Sequence, residues 1–206
     1  MVANLPLNPT IEVTVASHGM SKGIEQADGP QVTPRAYVQM GDIQVGGQWK
    51  NITSRTADGE SWLFAGLTRK VGAFQLSVGA NYKFQTGTRS GLDADAIELN
   101  AGAGYKSGKL SLKASMIYAP DDIGSTKRSL YVEGGPAIDF TKTLRVSANI
   151  GRRNRERAPD YTSLNIGATQ SLFRGFALDL RYYRTDRSDL GSIYRDRLVL
   201  AGRWSF

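Results

Sequence analysis

A strict alternation of apolar and other residues runs through almost the whole chain and limits the possible folds more than any other feature. It is clearest in the last ten residues, where Leu198, Leu200 and Trp204 share one parity and Arg197 and Arg203 share the other. A period of two is typical of a β-strand with two unlike faces. No segment has the period of an amphipathic helix, and no apolar run reaches the length of about 18 residues that a membrane-spanning helix needs. The sequence therefore predicts an all-β fold.

Turn residues divide the chain into twelve predicted strands whose connections alternate in length. The predicted strands are 10–19, 31–40, 43–52, 60–70, 73–86, 95–105, 109–119, 128–138, 143–152, 161–171, 175–185 and 194–206. The short connections are 41–42, 70–72, 106–108, 139–142 and 172–175, and the long ones are 20–30, 53–59, 87–94, 120–127, 153–160 and 186–193. Short turns at one end and long loops at the other are typical of an outer-membrane barrel with both termini in the periplasm.

A soluble β-sandwich or a lipocalin-like barrel also alternates, but its inward apolar face is bulky throughout. Here the apolar face mixes Leu, Val and Ile with Ala and Gly, and aromatic residues gather near the strand ends as in the two girdles of a bilayer barrel. The girdle residues are Phe74, Tyr105, Phe140, Phe173, Phe176, Trp204 and Phe206 near the short turns, and Trp49, Trp62, Tyr82, Phe84, Tyr118, Tyr161 and Tyr182 near the long loops.

We predict a transmembrane antiparallel up-and-down β-barrel over residues 10–206, preceded by an arm of residues 1–9 in the periplasm or the lumen. Three points within this prediction stay open. Pro34 and Pro136 fall inside predicted strands, where a missing N–H needs a bulge or a strand end. The orientation of strand 60–70 is also open, because Trp62 and Leu63 are adjacent and both are bulky and apolar.

Composition excludes several classes of function. The 206 residues contain no Cys, which excludes disulfides, thiolate metal sites and a cysteine nucleophile. The formal charge of +7 would suit nucleic acid or an anionic surface. The cations are spread over strands in which apolar and polar residues alternate, so we expect a lipid bilayer as the partner and no nucleic acid.

Met1-Val2-Ala3 has no basic or apolar leader character, so we expect an outer-membrane protein in its mature form.

Two short segments carry resemblances to known families. A final strand that ends in Trp204 and Phe206 resembles the signal that the barrel-assembly machinery reads in Gram-negative outer-membrane proteins. The segment 17–30, with Lys22-Gly23-Ile24 at its centre, resembles the R-G-I-S-Q-S loop of the proteobacterial Gcw-chp family. That resemblance implies a secreted barrel of similar length and implies no catalytic residue or cofactor.

The inward parity of the predicted strands contains more cations than carboxylates. Two interpretations stay open: the ions pair and stiffen the wall, or the excess of cations biases a narrow water-filled path toward anions. The predicted lumen residues are Arg35, Lys50, Lys83, Lys113, Arg145, Arg181, Arg197 and Arg203, with Glu12, Glu98, Glu133 and Asp179. Four of these cations, Arg145, Arg181, Arg197 and Arg203, would form a basic ladder on one side.

A second basic cluster lies at the outer end of the ninth predicted strand and comprises Arg152, Arg153, Arg155 and Arg157. Beside the outer leaflet the nearest polyanion is lipopolysaccharide, whose phosphates fit the guanidinium fork. Local pairing with Asp160 or Asp186 is the alternative.

Catalysis and metal binding find little support. The one histidine, His18, restricts a Ser–His mechanism to a single position, and the adjacent Ser17 is expected on the opposite strand face. Asp93, Asp95, Asp121 and Asp122 match no cation-binding loop. We expect neither an enzyme nor a metal or cofactor.

The sequence therefore predicts an outer-membrane channel for passive diffusion of small, preferentially anionic solutes. The alternative is a closed structural barrel that acts through its loops on lipopolysaccharide or another ligand, and a lipid-modifying enzyme is less favoured.

Overall fold

The computed structural model describes residues 6–53, 57–88, 93–124 and 126–206. Twelve long antiparallel strands close into a barrel, and two short strands form a separate hairpin. The strands are β1 (Leu7–Ala16), β2 (Gly19–Ser21), β3 (Ile24–Ala27), β4 (Gln31–Met40), β5 (Ile43–Asn51), β6 (Gly59–Val71), β7 (Phe74–Thr86), β8 (Asp95–Ser107), β9 (Leu110–Asp122), β10 (Lys127–Asp139), β11 (Leu144–Arg155), β12 (Tyr161–Phe173), β13 (Phe176–Thr185) and β14 (Arg197–Ser205). Two 3₁₀ turns, Ser188–Leu190 and Ser192–Tyr194, precede β14.

The first and last barrel strands pair with each other, so the sheet has no free edge. Strand β1 pairs with β4 from Leu7↔Met40 to Ala16↔Gln31, and with β14 from Glu12↔Ser205 to Ala16↔Ala201. The N–H of Phe206 extends this seam by donating to the carbonyl of Ile11 at 2.9 Å. Every other barrel strand pairs with its neighbours in sequence, which confirms the predicted up-and-down barrel.

The alternation in the sequence separates the outside of the barrel from its lumen. In β14, Leu198 and Leu200 are 62% and 53% exposed, whereas Val199 between them is 5% exposed. The outward parity of the other strands likewise exposes residues such as Leu63, Val78 and Ile150. An exposed apolar band around a barrel is the surface that lipid covers. Within the described residues, no helix has the length and apolar character needed to cross a bilayer.

The aromatic girdles are confirmed at the short-turn end and corrected at the long-loop end. Phe176 and Trp204 pack outside the barrel with ring centroids 4.1 Å apart, and Phe74 and Tyr105 with centroids 5.2 Å apart. Tyr161, by contrast, is completely buried inside the barrel. Its parity on β12 is that of the lumen, so an aromatic residue near a strand end does not by itself mark the membrane interface.

The register resolves the open orientation of β6. Glu60 and Trp62 share a parity, and Glu60 is 2% exposed and pairs with the lumen residue Lys50 at 3.0 Å. Trp62 lines a cavity of the lumen, whereas Leu63 is 58% exposed on the outside. Trp62 and Phe64 are therefore lumen residues, and Trp62 does not belong to the outer girdle.

Both prolines lie where pairing to one neighbour is interrupted. Pro34 pairs with Val13 of β1, but the pairing of β4 with β5 begins one residue later, at Arg35. Pro136 pairs with Leu112 of β9, while the pairing of β10 with β11 stops at Gly134 and resumes at Ala137. These are positions at which a missing N–H is tolerated.

Most strand boundaries differ from the prediction by one to three residues, and two of the differences concern the first and last barrel strands. The predicted arm of residues 1–9 is shorter, because β1 begins at Leu7 and its first residues already pair with β4; residues 1–5 lie outside the described residues. The final strand begins at Arg197 rather than at residue 194, because Tyr194 belongs to a 3₁₀ turn. The largest difference is the hairpin β2–β3, which occupies a segment that the sequence suggested to be a loop.

An arginine placed on the lipid face should destabilise the barrel more than an arginine placed at a neighbouring position on the lumen face. Val78 of β7 lies on the outward face and is 57% exposed, whereas Ser77 lines a cavity of the lumen. Val78→Arg should reduce the free energy of unfolding in lipid by about 2–4 kcal/mol, the cost of Arg near the bilayer midplane. Ser77→Arg should cost much less, because its charge enters water. Reversible unfolding of both variants in lipid vesicles measures the difference, and equal costs would contradict the assignment of faces.

Candidate functional site

All twelve residues predicted to line the lumen lie on the inward parity. Lys113, Glu133 and Arg145 line one cavity of the barrel, and Arg203 lines another at the short-turn end. The other eight have inward side-chain partners: Glu12, Arg35, Lys50, Lys83, Glu98, Asp179, Arg181 and Arg197. The lumen is therefore the densely charged surface of the molecule and the candidate functional site.

Most of the predicted lumen cations are paired with carboxylates. The ion pairs are Arg35–Glu12 (3.9 Å), Lys50–Glu60 (3.0 Å), Lys83–Glu98 (2.7 Å), Arg145–Asp139 (2.7 Å), Arg181–Asp179 (3.1 Å) and Arg197–Glu25 (2.8 Å). Within the described parts of the chain, Lys113 and Arg203 have no such partner. Of the two interpretations left open by the sequence, pairing within the wall describes most of these ions.

Four carboxylates that pair with cations in the lumen were not among the residues predicted from the sequence, each for a local reason. Glu60 belongs to β6, whose orientation the sequence left open. Asp139 was placed in a turn, but it is the last residue of β10. Asp122 reaches the lumen because β9 and β10 shift register between Lys127 and Ser129. Glu25 lies in the hairpin, which sequence patterns did not predict. Of these four, only Asp139 could have been found from the sequence, by continuing the inward alternation of strand 128–138 one residue past its predicted end.

The hairpin β2–β3 lies inside the long-loop end of the barrel and contacts the wall on several sides. It reaches β5 through a hydrogen bond from Lys50 to Gln26. It reaches β8 where Lys22 donates to Glu98 at 2.5 Å, and β12 where the Tyr161 hydroxyl donates to the Lys22 carbonyl at 2.7 Å. It reaches β14 through a bidentate pair, in which Arg197 donates to both carboxylate oxygens of Glu25 at 2.8 Å.

The tip of the hairpin fits closely against the wall. Lys22 and Gly23 form a turn with φ values of 49° and 81°, a conformation that Gly adopts without cost. A Cβ at Gly23 would overlap the side chain of Ser163, which is itself 1% exposed. Ile24 packs next to the tip in a small apolar cluster with Tyr161 and Tyr194.

Lys22 joins a buried cluster that holds more cations than anions. Lys22 lies 2.5 Å from Glu98 and 3.8 Å from Asp122. Lys83 also pairs with both carboxylates, at 2.7 and 3.4 Å, and Arg153 pairs with Asp122 at 2.7 Å. Burial, together with the nearby charges of Lys83 and Arg153, lowers the pKa of Lys22 to about 8 although Glu98 and Asp122 act in the opposite direction.

Beyond the hairpin tip the lumen is open toward the short-turn end. A cavity of about 350 Å³ touches Lys22 and Gly23, and it shares Ser115, Glu133 and Asn149 with a cavity of about 420 Å³. The latter shares Lys113 and Arg145 with a cavity of about 510 Å³ that extends to the turn at Gly72. A continuous polar space therefore leads from the hairpin to the barrel end.

Glycines and small side chains keep this space wide. Gly102, Gly104 and Gly135 have inward parity and line the cavity of about 420 Å³ together with Ser77 and Ser115. An added Cβ at Gly104 would meet its nearest atoms at 3.9 Å, so steric crowding does not require glycine there. The absence of a side chain at Gly104 leaves room for water or a solute, whereas a Cβ at Gly135 would overlap the carbonyl oxygen of Ala148, so the close approach of β11 requires glycine there.

Inward aromatic rings support several lumen cations. The guanidinium of Arg35 lies 4.9 Å from the ring of Tyr37 and 4.6 Å from that of Phe64. The ammonium of Lys50 lies 5.0 Å from the ring of Trp62. Such cation–π contacts hold long side chains against the wall.

The arginine cluster predicted to contact lipopolysaccharide is divided between the two faces. Arg153 and Arg155 point inward: Arg153 pairs with Asp122, and the Arg155 guanidinium lies 5.1 Å from the ring of Tyr161. The prediction is corrected for these two, because odd positions of β11 face the lumen. Arg152 and Arg157 are exposed, and Arg152 lies 3.6 Å from Asp160 and 3.9 Å from Asp186. The local pairs named as the alternative therefore occur for Arg152.

The residues considered for catalysis or metal binding form no complete site among the described residues. His18 lies 3.4 Å from the Ser17 hydroxyl, nearer than expected, and 4.0 Å from Glu25. The Ser17 hydroxyl accepts from the N–H of Leu200. His18, Glu25 and Asp28 place possible metal-ligand atoms within 4.8 Å of one another, but Arg197 occupies both oxygens of Glu25.

The acidic residues of the long loops are separated rather than gathered into one site. Lys127 lies 3.3 Å from both Asp93 and Asp121 and places an ammonium group between these two carboxylates. Asp95 accepts a hydrogen bond from Tyr82, and Asp122 lies inside the barrel. These four carboxylates do not converge on one cation.

Solved porins share this fold. A KdgM porin has a TM-score of 0.68 at 10% identity, and the match covers 96% of this chain and 99% of that chain. A KdgM porin in complex with disordered oligogalacturonate has a TM-score of 0.66 at 10% identity, covering 96% and 99%. A NanC porin has a TM-score of 0.64 at 7% identity, covering 95% and 97%. At these identities the likeness concerns the fold alone.

Sequence comparison identifies the family. No curated protein matches the sequence, and the resemblance to the Gcw-chp family is not confirmed. The family model described as Gram-negative porin matches residues 64–190, which are more than half of the chain. This match agrees with the closed barrel of twelve strands and its polar lumen. The chain belongs to the Gram-negative porins, the channel-forming barrels of the outer membrane.

Proposed function

We propose that the chain is a passive channel for small solutes with a weak preference for anions, and that its route is the lumen described above. The periplasmic half of the lumen, at the short-turn end, carries the proposal. The cavity of about 510 Å³ there is lined by four cations, Lys70, Lys106, Lys113 and Arg145, and by no carboxylate among its described residues. A one-sided basic lining attracts anions by its potential and does not require a tight binding site.

The basic lining of this cavity does not coincide with the ladder of four arginines that the sequence predicted. Arg145, Arg181 and Arg197 are paired with Asp139, Asp179 and Glu25, which reduces their attraction for a passing anion. The lining cations free of ion pairs among the described residues are Lys70 and Lys113. Arg203 of β14 is the ladder residue that has no carboxylate partner among the described residues, and it lines a different cavity. The selectivity we propose therefore resides mainly on β6 and β9.

A related fold supports an acidic solute. Oligogalacturonate, the ligand named with one of the KdgM porin structures, is a chain of sugar acids. A lumen lined by cations, serines and glycines suits the same chemistry, that of a hydrated solute bearing carboxylates. The solute class proposed here is thus a small organic acid or acidic sugar.

Ion selectivity tests the proposal. In a planar bilayer under a salt gradient, the reversal potential should show a preference for anions. Lys70→Glu combined with Lys113→Glu should move it toward cations, because both side chains face the lumen and neither substitution leaves a carboxylate without its partner. Lys109→Glu combined with Lys142→Glu makes the same change in charge on exposed turns at the same end and should leave it nearly unchanged.

A reversal potential that the lumen variant does not move would contradict a role for these lysines in selectivity. Cation preference in the unaltered protein would contradict the anionic solute class while leaving the channel itself intact.

The route through the lumen is tested by narrowing it. Gly104→Trp places an indole in the wide half without steric conflict at its Cβ, so single-channel conductance should fall severalfold. Ala103→Trp, on the outward parity of the same strand, should leave conductance unchanged. Equal conductance in both variants would show that ions do not pass along this wall.

Two contacts with other partners stay predictions. Trp204 packs on Phe176, and Phe206 is exposed at the barrel end, so both are accessible to the barrel-assembly machinery as the signal we expect. Arg152 and Arg157 are the members of the arginine cluster exposed toward lipopolysaccharide. A silent bilayer would favour the alternative in which the barrel acts through such loop residues.

A further inference from the structure

We propose that the hairpin β2–β3 is a gate, which closes the channel while it is docked in the lumen and opens the channel when it leaves. This inference rests on the proposed channel function and adds its regulation. The observation behind it is the position of the hairpin: a segment between the first two barrel strands crosses the lumen and bonds to β5, β8, β12 and β14.

The docked hairpin excludes water on more than one side. On the side of β8 and β12, Glu98 and Tyr161 have no exposed surface and Ser163 is 1% exposed. At the base of the hairpin, Ala27 has no exposed surface and Gln31 is 8% exposed. A space too narrow for water does not pass a hydrated solute, so the docked hairpin blocks these sides of the lumen, and the cavity of about 350 Å³ touches it at Met20 and Ser21 as well as at the tip.

The hairpin is held by contacts that can separate without opening the barrel. Its two strands form a sheet of their own and are not part of the ladder of the wall. An isolated two-stranded hairpin is only marginally stable in water. Its apolar contribution is small, since Ile24 is its member of the apolar cluster with Tyr161 and Tyr194. Release therefore breaks its side-chain contacts and one backbone bond, from the N–H of Thr53 to the carbonyl of Gln26 at 2.8 Å, and leaves the ladder of the barrel intact.

Charges at the tip of the hairpin oppose its docking, and charges near the mouth of the barrel favour it. At the tip, the buried Lys22 brings a third cation, beside Lys83 and Arg153, to a cluster of two carboxylates, and both burial and these like charges oppose its own charge, in line with its lowered pKa. Near the mouth, Glu25 and Arg197 form a bidentate pair, a strong and directional contact. The docked state thus depends on the Glu25–Arg197 pair. The charge of Lys22 at the tip offsets part of the stabilisation that this pair provides.

Loss of the Glu25–Arg197 pair should open the channel. Glu25→Gln keeps the side-chain shape and removes the charge, so the open probability in a planar bilayer should rise by about tenfold or more. Glu12→Gln is the matched control, because Glu12 pairs with Arg35 within the wall at 3.9 Å and bonds to no residue of the hairpin. An open probability that rises equally in both variants, or in neither, would overturn the role given to the pair.

A reversible crosslink tests the gate directly, and the absence of cysteine from the chain makes it selective. The double variant Glu25→Cys with Arg197→Cys is joined by a short bifunctional methanethiosulfonate that spans the space of the two side chains. Conductance should be low while the crosslink holds the hairpin and should rise severalfold when dithiothreitol cleaves it in the same bilayer. Each single variant, treated identically, carries the spacer on one side chain without a crosslink, so it should not be held in the low-conductance state.

The outcomes separate failure of the gate from failure of the channel. Equal, measurable conductance before and after cleavage would overturn the gate and leave the proposed channel standing. Silence in both states calls for a variant in which residues 19–28 are replaced by a short Gly-Ser linker. If that variant conducts, the hairpin is a fixed plug and its release is overturned. If it is silent as well, the proposed channel function fails and the gate fails with it.

Discussion

The structure depends first on the requirement that every backbone N–H and C=O within a bilayer find a partner in the protein itself. A sheet meets this requirement only when it closes, and here the closing seam is the pairing of β1 with β14, extended by the bond from Phe206 to Ile11. Closure divides each strand into a lipid face and a lumen face. The alternation of residues, the two exposed prolines at interrupted pairings and the outer aromatic pairs all follow from that division.

The same closure places many charges in a narrow space, where each must be paired or hydrated. The two ends of the lumen solve this differently. In the extracellular half the ions are buried and paired, as in the cluster of Lys83, Glu98 and Asp122. At the short-turn end Lys113 is exposed to the open lumen, so it needs no carboxylate partner. The predicted lumen cations that have no such partner among the described residues, Lys113 and Arg203, both lie toward that end.

The hairpin connects these two halves. It lies inside the long-loop end, and the cavities of the lumen extend from its tip to the short-turn end. The wall strands are held by backbone ladders as well as by side-chain contacts, whereas contacts such as Arg197 with Glu25 hold the hairpin and leave the barrel ladder complete when they break. The gate proposed above therefore requires no opening of the barrel wall.

By itself the sequence determined the fold, the strand number and the face of every predicted lumen residue, because a two-residue period is a local property that closure preserves. It did not determine the partners of those residues: it left open whether Arg197 is paired, and the structure binds it to Glu25, and Arg153 was expected outside and is buried on Asp122. Pairing depends on the register between strands and on the path of the first loop, which bring together residues far apart in sequence. Only the tertiary structure decides such contacts, and with them whether the lumen is open.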